Sequence, residues 1–330
     1  MRNKFLVIGS NSFSGSHFVD HLLQEELDVV GVSRSEQPDN VFLPYASHDS
    51  LGNFAFKVID LNHQLDELME LINEFRPTHV VNFAAQGMVA QSWLQPEHWY
   101  QTNVVAQVKF HDRLRKCDFL KKYVHVTTPE AYGSTGGWQK EHFNFAPSTP
   151  YAVSRAACDL HLMSFFKAYK FPVVFTRAAN VYGPGQQLYR IISRTMLFGR
   201  LGIRLPLHGG GHSVRSFIHI SDVADATYKI ALNGTPGETF HISTRDSVSI
   251  RHVVDEICRM MDLKFSEAVD VAEERLGKDQ AYLLESSYLR DSLGWKDNIS
   301  LEQGLIDTLN WVDNNLDVLK NLPNEYIHKP

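Results

Sequence analysis

Short apolar runs alternate with helically spaced apolar stripes along the first half of the chain. Runs at 5–8, 29–32, 79–83, 123–126 and 173–175 have the length and composition of buried strands, and residues 54–59 alternate as another strand would. Between them apolar residues recur every three or four positions, and the longest such stretches, 93–114 and 152–169, predict helices. Strands and helices in this order predict an α/β fold, a doubly wound parallel sheet with helices on both faces.

The pattern changes after Tyr182-Gly183-Pro184-Gly185. Short strands predicted at 216–220 and 238–242, and helices at 221–232, 249–261 and 301–313, indicate a smaller α+β region. We therefore expect two interleaved regions, residues 1–180 and residues 181–330. The polar stretch 321–330 is expected to be loosely held.

Composition narrows the class of protein. Of 330 residues, 43% are hydrophobic and 21% charged, which suits a sizeable core and argues against disorder. A net charge of −6 without a long basic run argues against a non-specific nucleic-acid or membrane-surface protein. Cys117, Cys158 and Cys258 form neither a metal-ligand pattern nor a disulfide framework. No apolar run is long enough to span a bilayer, and no signal-peptide pattern is present, so we expect a cytoplasmic enzyme without a bound metal.

A glycine-containing loop follows the first predicted strand. The stretch Gly9-Ser10-Asn11-Ser12-Phe13-Ser14-Gly15 ends that strand and opens a helix. In such a place the pyrophosphate of a dinucleotide binds free backbone amides at the positive end of a helix dipole. Ser12 replaces the middle glycine of the usual pattern, and a small residue fits there. The loop predicts that residues 1–180 are a dinucleotide-binding Rossmann domain; an ordinary tight turn is the alternative reading.

The end of the second predicted strand indicates which dinucleotide binds. NAD sites usually present Asp or Glu to the ribose hydroxyls there, whereas NADP sites often present Arg to the extra phosphate. This chain has Ser33-Arg34-Ser35 at that position. Arg34 with two flanking hydroxyls favours NADP, and nearby Glu36 keeps NAD open as the alternative.

A second pair of segments carries candidate catalytic groups. Thr128 and Glu130 follow a predicted strand, and Tyr151 and Arg155 stand four residues apart at the start of a predicted helix. Residues four apart share a helix face, so the cation is expected to lower the pKa of the phenol. A tyrosine with a lowered pKa can serve as a base or acid near neutral pH. These residues together favour redox chemistry on a small molecule.

With these motifs in view, the chain resembles the extended short-chain dehydrogenase/reductase superfamily, in its branch of nucleotide-sugar epimerases and dehydratases. It is similar to the dTDP-glucose and GDP-mannose 4,6-dehydratases over nearly its whole length. The motifs that carry the resemblance are the Gly9 to Gly15 loop, Asp60-Leu61, Ala84-Ala85-Gln86, Thr128-Pro129-Glu130, Tyr151-x-x-x-Arg155, Asn180-Val181-Tyr182-Gly183-Pro184, Val214-Arg215-Ser216-Phe217, Arg275-Leu276-Gly277-Lys278-Asp279 and Leu293-Gly294-Trp295.

The resemblance implies which residues bind each ligand. Asp60 and Leu61 would contact the adenine of the cofactor. The full set of implied cofactor residues is Gly9, Ser12, Phe13, Ser14, Gly15, Arg34, Asp60, Leu61, Ala84, Ala85, Gln86, Thr127, Tyr151 and Arg155. The implied residues for the nucleotide-sugar substrate are Gln86, Asn180, Arg190, Arg215, Arg275 and Lys278. Arginines suit that second task independently, because their fork binds phosphate oxygens bidentately.

The resemblance also implies a reaction, catalysed by Thr128, Glu130, Tyr151 and Arg155. Thr128 would hydrogen-bond the C4 hydroxyl of the sugar while Tyr151 removes its proton and hydride passes to the nicotinamide. Glu130 would then remove the C5 proton, water would leave from C6, and the hydride would return to C6. The chain departs from the family pattern at two of these positions: Arg155 replaces a lysine, and Pro129 replaces an aspartic acid that many dTDP-glucose dehydratases carry.

We therefore expect a nucleotide-sugar 4,6-dehydratase. The alternatives are a nucleotide-sugar epimerase, a UDP-glucuronate-type decarboxylase and a non-catalytic nucleotide-sugar binding protein on the same fold. Epimerases of the superfamily generally lack a carboxylate at the position of Glu130, which favours the dehydratase. The helices predicted at 93–114 and 152–169 resemble the pair through which members of the superfamily dimerise, so a homodimer is expected.

Overall fold

The computed structural model describes residues 3–47, 51–273 and 283–329. Its centre is a parallel seven-stranded sheet with the strand order β12-β7-β5-β4-β1-β2-β3. The strands of the described residues are β1 Lys4–Ile8, β2 Asp28–Ser33, β3 Phe54–Val58, β4 His79–Asn82, β5 Lys122–Thr127, β6 Trp138–Gln139, β7 Val173–Ala178, β8 Asn180–Tyr182, β9 Leu205–His208, β10 Val214–Arg215, β11 Phe217–His219, β12 Thr239–Ile242, β13 Val248–Ser249, β14 Val269–Ala272 and β15 Leu283–Leu284.

Helices connect these strands. The α-helices are α1 Phe13–Gln24, α2 Leu65–Phe75, α3 Pro96–Tyr100, α4 Ala106–Leu114, α5 Pro150–Tyr169, α6 Ile191–Leu201, α7 Ile220–Asn233, α8 Ile250–Met260, α9 Phe265–Ala268, α10 Ser287–Leu293, α11 Leu301–Asn314 and α12 Leu316–Leu319. Two apolar cores, one on each face of the sheet, hold these layers together. One is built with α1 and α7, the other with α2, α4 and α5. The predicted α/β fold class is confirmed.

Two features differ from the expected element pattern. The stretch 93–114, predicted as one helix, is divided into α3, a π-helical turn Gln101–Val105 and α4. The strand expected at 238–242 is β12, and it forms an edge of the main sheet beside β7 rather than part of a separate region. A strand this late in the chain can pair there because parallel neighbours need only a crossover connection, not adjacency in sequence. The division into 1–180 and 181–330 stays a prediction.

The smaller strands and the later helices pack against the edge of the sheet where the strands end. The smaller strands form four two-stranded sheets. Three are parallel, β8 with β11, β9 with β14 and β6 with β15, and one is antiparallel, β10 with β13. A third apolar core joins α6, α8 and α11. No helix within the described residues is long and apolar enough to cross a membrane.

The stretch expected to be loose, 321–330, is held against the domain over its described residues. Its side chains alternate between the protein and the solvent, with Leu322, Asn324, Tyr326 and His328 turned inward. Alternation of this kind is the mark of an extended chain lying on a surface. The polar composition was misleading because Tyr326 and His328 bind through ring contacts and hydrogen bonds rather than through aliphatic side chains.

Candidate active site

The glycine loop folds as its sequence suggests. Ser12 caps α1, accepting a hydrogen bond from the backbone N–H of Gly15 at 3.1 Å and donating one to the carbonyl of Gly9 at 2.7 Å. Gly9 has a φ of +81°, and a Cβ there would lie 2.7 Å from the backbone nitrogen of Ala84. A Cβ on Gly15 would lie 2.2 Å from the Gly9 carbonyl oxygen. Only glycine fits either position, so the loop stays tight against the N-terminus of α1.

Ser33 and Arg34 at the end of β2 have different roles. The hydroxyl of Ser33 accepts a hydrogen bond from the backbone N–H of Asn11 at 3.0 Å, which ties β2 to the glycine loop. Arg34 lines the large cavity of the site, whereas Glu36 is exposed and does not line it. The guanidinium of Arg34 donates to the backbone carbonyl of Lys329 at 3.1 Å.

The end of β5 delivers the first catalytic candidates. Thr128 caps a 3₁₀ turn, Pro129–Tyr132, by accepting from the N–H of Glu130 at 3.2 Å. Pro129 occupies the first position of that turn, where its missing N–H costs nothing and its fixed φ is suited to the helical conformation. The extended backbone of Thr128 is the one that a following proline requires. The turn therefore places Thr128 and Glu130 at the cavity.

Helix α5 supplies the second pair. Thr149 caps its N-terminus, accepting from the N–H of Ala152 at 3.1 Å, and Pro150 opens the first turn. Tyr151, Arg155 and Asp159 follow one another at intervals of four, so they lie along one face. Tyr151 and Arg155 line the cavity together with Thr128 and Glu130.

All four catalytic candidates thus lie on one cavity of about 750 Å³, a volume suited to small-molecule ligands. The cavity also receives most of the predicted binding residues. Those that line it are Ser12, Phe13, Ser14, Arg34, Ala85, Gln86, Thr127, Asn180, Arg190 and Arg215. Leu205, Leu207 and Phe217 add apolar surface on the side that carries Arg215.

The remaining predicted residues lie elsewhere. Gly9, Gly15 and Ala84 shape the loop without lining the cavity. Asp60 and Leu61 follow β3 and also do not line it; the Asp60 carboxylate accepts from the N–H of Asn62 at 2.8 Å. Arg275 and Lys278 lie outside the described residues.

The environment of Tyr151 differs from the expected one. Burial raises the pKa of its phenol most, the Glu130 carboxylate raises it further, and Arg155, a hydrogen bond with Thr128 and Arg190 lower it. The net direction is upward, so the expectation of a lowered pKa is wrong for the protein without ligands. Sequence spacing identified the cation but not the opposing charge of Glu130, which comes from another element. The phenol and the carboxylate are coupled: removing the negative charge of Glu130 would bring the pKa of Tyr151 down.

The side chain of Arg155 has donors that are unsatisfied within the described part of the chain and that bear on whether the site fits a dinucleotide. Its side chain is 2% exposed, and one N–H₂ group donates to the backbone carbonyl of Val126. Its Nε and Nη1 are buried without a hydrogen-bond partner among the described residues. Orphaned donors of a buried charged group are costly, so they indicate a ligand acceptor at this point of the cavity. Ribose hydroxyl or phosphate oxygens of a dinucleotide meet that need.

A buried charge network that the sequence analysis missed lies beneath these residues. Asp159, fully buried, accepts from Nη2 of Arg177 at 2.6 Å and from the hydroxyl of Thr127 at 3.0 Å. Nε of Arg177 donates to the backbone carbonyl of Thr128 at 3.2 Å. Burial would raise the pKa of Asp159, but Arg177 and His125 outweigh it and the pKa is lowered. Asp159 and Arg177 therefore join the face of α5 to the end of β5.

A second missed group is Asn103, in the π-helical turn. Its side chain accepts from the N–H of Gln86 at 2.8 Å and donates to the carbonyl of Gln86 and the hydroxyl of Ser154, both at 3.0 Å. The extra residue of a π turn rotates one side chain out of the helical register, and such turns are common at functional sites. No sequence signal marked the turn.

Comparison with known proteins identifies the family. The family model described as GDP-mannose 4,6 dehydratase matches residues 6–308. The chain belongs to this family. A dTDP-glucose 4,6-dehydratase of Xanthomonas campestris pv. campestris is 29% identical over 327 residues, which cover 93% of this chain and 92% of that protein.

Solved structures agree with this family membership. DesIV, a dTDP-glucose 4,6-dehydratase from Streptomyces venezuelae solved with NAD and TYD bound, is 26% identical with a TM-score of 0.88, covering 95% of this chain and 98% of its own. The dTDP-glucose 4,6-dehydratase from Bacillus anthracis str. Ames, solved with NAD, is 26% identical with a TM-score of 0.85, covering 96% and 99%. The predicted resemblance is confirmed.

Proposed function

We propose that this chain is a nucleotide-sugar 4,6-dehydratase that depends on a nicotinamide dinucleotide and forms a 4-keto-6-deoxy sugar nucleotide. The observation that carries the proposal is the convergence of Thr128, Glu130, Tyr151 and Arg155 on one cavity beside the glycine loop. The family and the dehydratase relatives support the same class of enzyme.

The residues divide the work between proton transfer and positioning. Thr128 and Tyr151 face the sugar's C4 hydroxyl, and the phenolate form of Tyr151 takes its proton. A nicotinamide dinucleotide, held by the glycine loop and Arg155, would supply the hydride acceptor for C4 and the hydride donor for C6. Arg155 directs its two orphaned N–H groups toward cofactor oxygens and places a positive charge one helical turn from the phenol.

Glu130 performs the elimination. Oxidation at C4 acidifies the C5 proton, which the Glu130 carboxylate removes. Pro129 has no proton to give, so the protonated Glu130 passes its proton to the leaving C6 hydroxyl, which departs as water. When the hydride adds to C6, C5 needs a proton, and Tyr151 supplies the one that it took from the C4 hydroxyl. Protons and electrons then balance, because one water is lost, the hydride that left C4 ends at C6, and Tyr151 and Glu130 return to their starting protonation states. The epimerase and decarboxylase alternatives do not require this loss of water from C6.

The cofactor preference is a finer proposal, namely NADP over NAD. It is supported by Arg34, which lines the cavity at the end of β2, and by the absence of Glu36 from the lining. NAD is the alternative cofactor, because the two similar dehydratase structures were solved with NAD bound.

A homodimer and a cytoplasmic location complete the proposal. Leu94, Trp93 and Tyr100, near or on α3, and Leu160 on α5 are large apolar side chains exposed by 79%, 51%, 38% and 50%. Exposed apolar side chains on and beside two helices suit a symmetric helix-to-helix interface. Light scattering on the parent and on Leu160→Glu tests it: a monomeric parent contradicts the dimer.

One experiment tests the reaction. The purified protein is incubated with a panel of nucleotide sugars, each with NAD or NADP added, and the products are weighed by mass spectrometry. A product lighter by one water supports the dehydratase. An isomer of unchanged mass would indicate an epimerase, loss of carbon dioxide from a uronic acid sugar a decarboxylase, and binding without conversion a non-catalytic protein.

A further inference from the structure

Residues 324–329, which we call the strap, cross the cavity from the substrate-binding side to the cofactor side. At one end, Glu325 lies 3.7 Å from the guanidinium of Arg194. Next, Tyr326 lines the cavity and packs edge-on against Tyr189 with ring centroids 5.6 Å apart. The strap therefore covers part of the site already described.

His328 is the principal anchor of the strap. Its ring stacks on buried Trp99, with centroids 5.0 Å apart and planes within 8°, and its Nε2 lies 2.9 Å from Nδ1 of His98. Its other ring nitrogen lies 3.3 Å from the hydroxyl of Tyr326. His328 is held on both sides, and the strap position is specific rather than incidental.

The far end of the strap contacts two groups expected to bind the dinucleotide. The backbone carbonyl of Lys329 accepts from the guanidinium of Arg34 at 3.1 Å and from the side-chain amide of Gln86 at 2.6 Å. The ammonium of Lys329 lies 3.5 Å from the hydroxyl of Ser35. The carbonyl oxygen of Lys329 lies between the side chains of Arg34 and Gln86. A ligand oxygen that binds both side chains must therefore displace this carbonyl oxygen.

We propose that the strap is an internal competitor of the dinucleotide, and that cofactor binding releases Lys329 from Arg34 and Gln86. The inference rests on the proposed cofactor site. The apparent affinity for a ligand falls by the fraction of protein in the competent state. Loosening the strap raises that fraction, so dinucleotide binds more tightly, while added dinucleotide drives the strap off the site.

Substitution of the anchor measures the competition. His328→Ala removes the stacking on Trp99 and the contact with His98, and we expect the dissociation constant for NAD or NADP to fall about tenfold in titration calorimetry. Ile327→Ala is the matched control, because the neighbouring Ile327 is 64% exposed, and its affinity should equal that of the parent. Equal dinucleotide affinity in the parent and both variants would refute the competition by the strap but not the cofactor site. Failure of all three to bind any dinucleotide would overturn the cofactor site and the competition with it.

A second measurement uses the unmodified chain. Chymotrypsin cleaves after Tyr326 only when the strap leaves the surface, and mass spectrometry follows that cut. Saturating NAD or NADP should speed the cut several-fold. A cut slowed by dinucleotide would show that the strap closes over the cofactor instead, and an unchanged rate would show that the two do not interact; either result refutes the proposal.

Discussion

Replacing Asp159 by asparagine removes one charge from the buried network beneath the residues proposed to be catalytic. Asn has almost the same shape and keeps one acceptor oxygen, so the perturbation is mainly electrostatic. The carboxylate is fully buried, lies 2.6 Å from the guanidinium of Arg177 and accepts from Thr127. Asp159→Asn leaves Arg177 buried without its counter-ion.

The size of the effect follows from that unpaired charge. Breaking a buried ion pair by removing one partner costs about 3–5 kcal/mol, whereas an exposed pair is worth at most about 1 kcal/mol. Arg177 also donates to the carbonyl of Thr128 and to the hydroxyl of Tyr132, at 3.2 and 3.1 Å. Those bonds and the Asn side chain recover part of the loss, so we expect Asp159→Asn to lose about 3 kcal/mol of the free energy of unfolding.

Urea unfolding and steady-state kinetics measure the two consequences. Asp313→Asn is the control, because Asp313 makes a bidentate pair with Arg200, at 2.6 and 2.7 Å, on the surface. The control should lose less than about 1 kcal/mol and keep its activity. In Asp159→Asn we expect kcat to fall about tenfold with an almost unchanged KM, since Thr128 shifts while the nucleotide-binding arginines do not. Equal stability of the two variants would refute the energetic reasoning, and an unchanged kcat would limit Asp159 to folding.

The pH dependence gives an independent check. The pKa of Asp159 is lower in the folded state, so its contribution is fully present above the unfolded value of about 3.9 and is lost as pH falls through the folded value. The stability difference between parent and Asp159→Asn should stay constant from about pH 8 to pH 5 and shrink below about pH 4. His125, whose pKa is lowered to about 4 chiefly by burial and is partly raised by Asp159, should become charged at a lower pH in Asp159→Asn than in the parent. A difference that grew on acidification would contradict the assignment.

Four further predictions address the reaction and the cofactor. Glu130→Gln should keep the first hydride transfer but block loss of water, so the absorbance of reduced nicotinamide should accumulate on adding substrate; full dehydratase turnover would exclude Glu130. Tyr151→Phe should show no such absorbance, with turnover lowered about 10²–10⁴-fold, and normal turnover would exclude it as the base. Arg34→Asp should shift the ratio of the NADP and NAD dissociation constants toward NAD, and an unchanged ratio would refute the role of Arg34. Gly15→Ala should abolish dinucleotide binding measured by calorimetry, because its Cβ would lie 2.2 Å from the Gly9 carbonyl oxygen; retained binding would show that the loop can relax.

The sequence predicted the fold wherever local pattern and burial agree. Five of the seven sheet strands carry short apolar runs because parallel strands inside a sheet are buried on both faces, and the edge strand β3 carries an alternating run that is only partly buried. The predicted runs ended within three residues of the observed strands. The sequence did not predict which sheet 238–242 would join, since sheet order depends on packing between distant segments. Nor did the sequence predict the break in the helix at 93–114. A π turn shifts the helical register by one residue, which changes the spacing of apolar residues too little to mark the turn.

For the site, the sequence identified residues that line the cavity and missed those that hold them in place. Arg177 was visible as a charge inside the apolar strand β7, and Asp159 as the third polar residue at intervals of four on α5. Their pairing could not be read because it joins two elements 18 residues apart in the chain. Lys329 was still less visible, since its contact with Arg34 spans 295 residues and uses a backbone carbonyl.

Arg155 contributes both to the fold around the cavity and to the proposed cofactor site. A lysine carries all of its side-chain N–H donors on one nitrogen. An ammonium placed at the carbonyl of Val126 could therefore not also reach a ligand acceptor elsewhere in the cavity. The planar fork of arginine can donate to Val126 from one N–H₂ group and still direct Nε and Nη1 elsewhere. The departure from the family lysine therefore gives one side chain two tasks, to tie α5 to β5 and to meet the cofactor. Arg155→Lys separates them: if the lysine ammonium keeps the tie to Val126, dinucleotide affinity should fall while stability holds, whereas if it turns to the ligand, stability should fall while affinity holds.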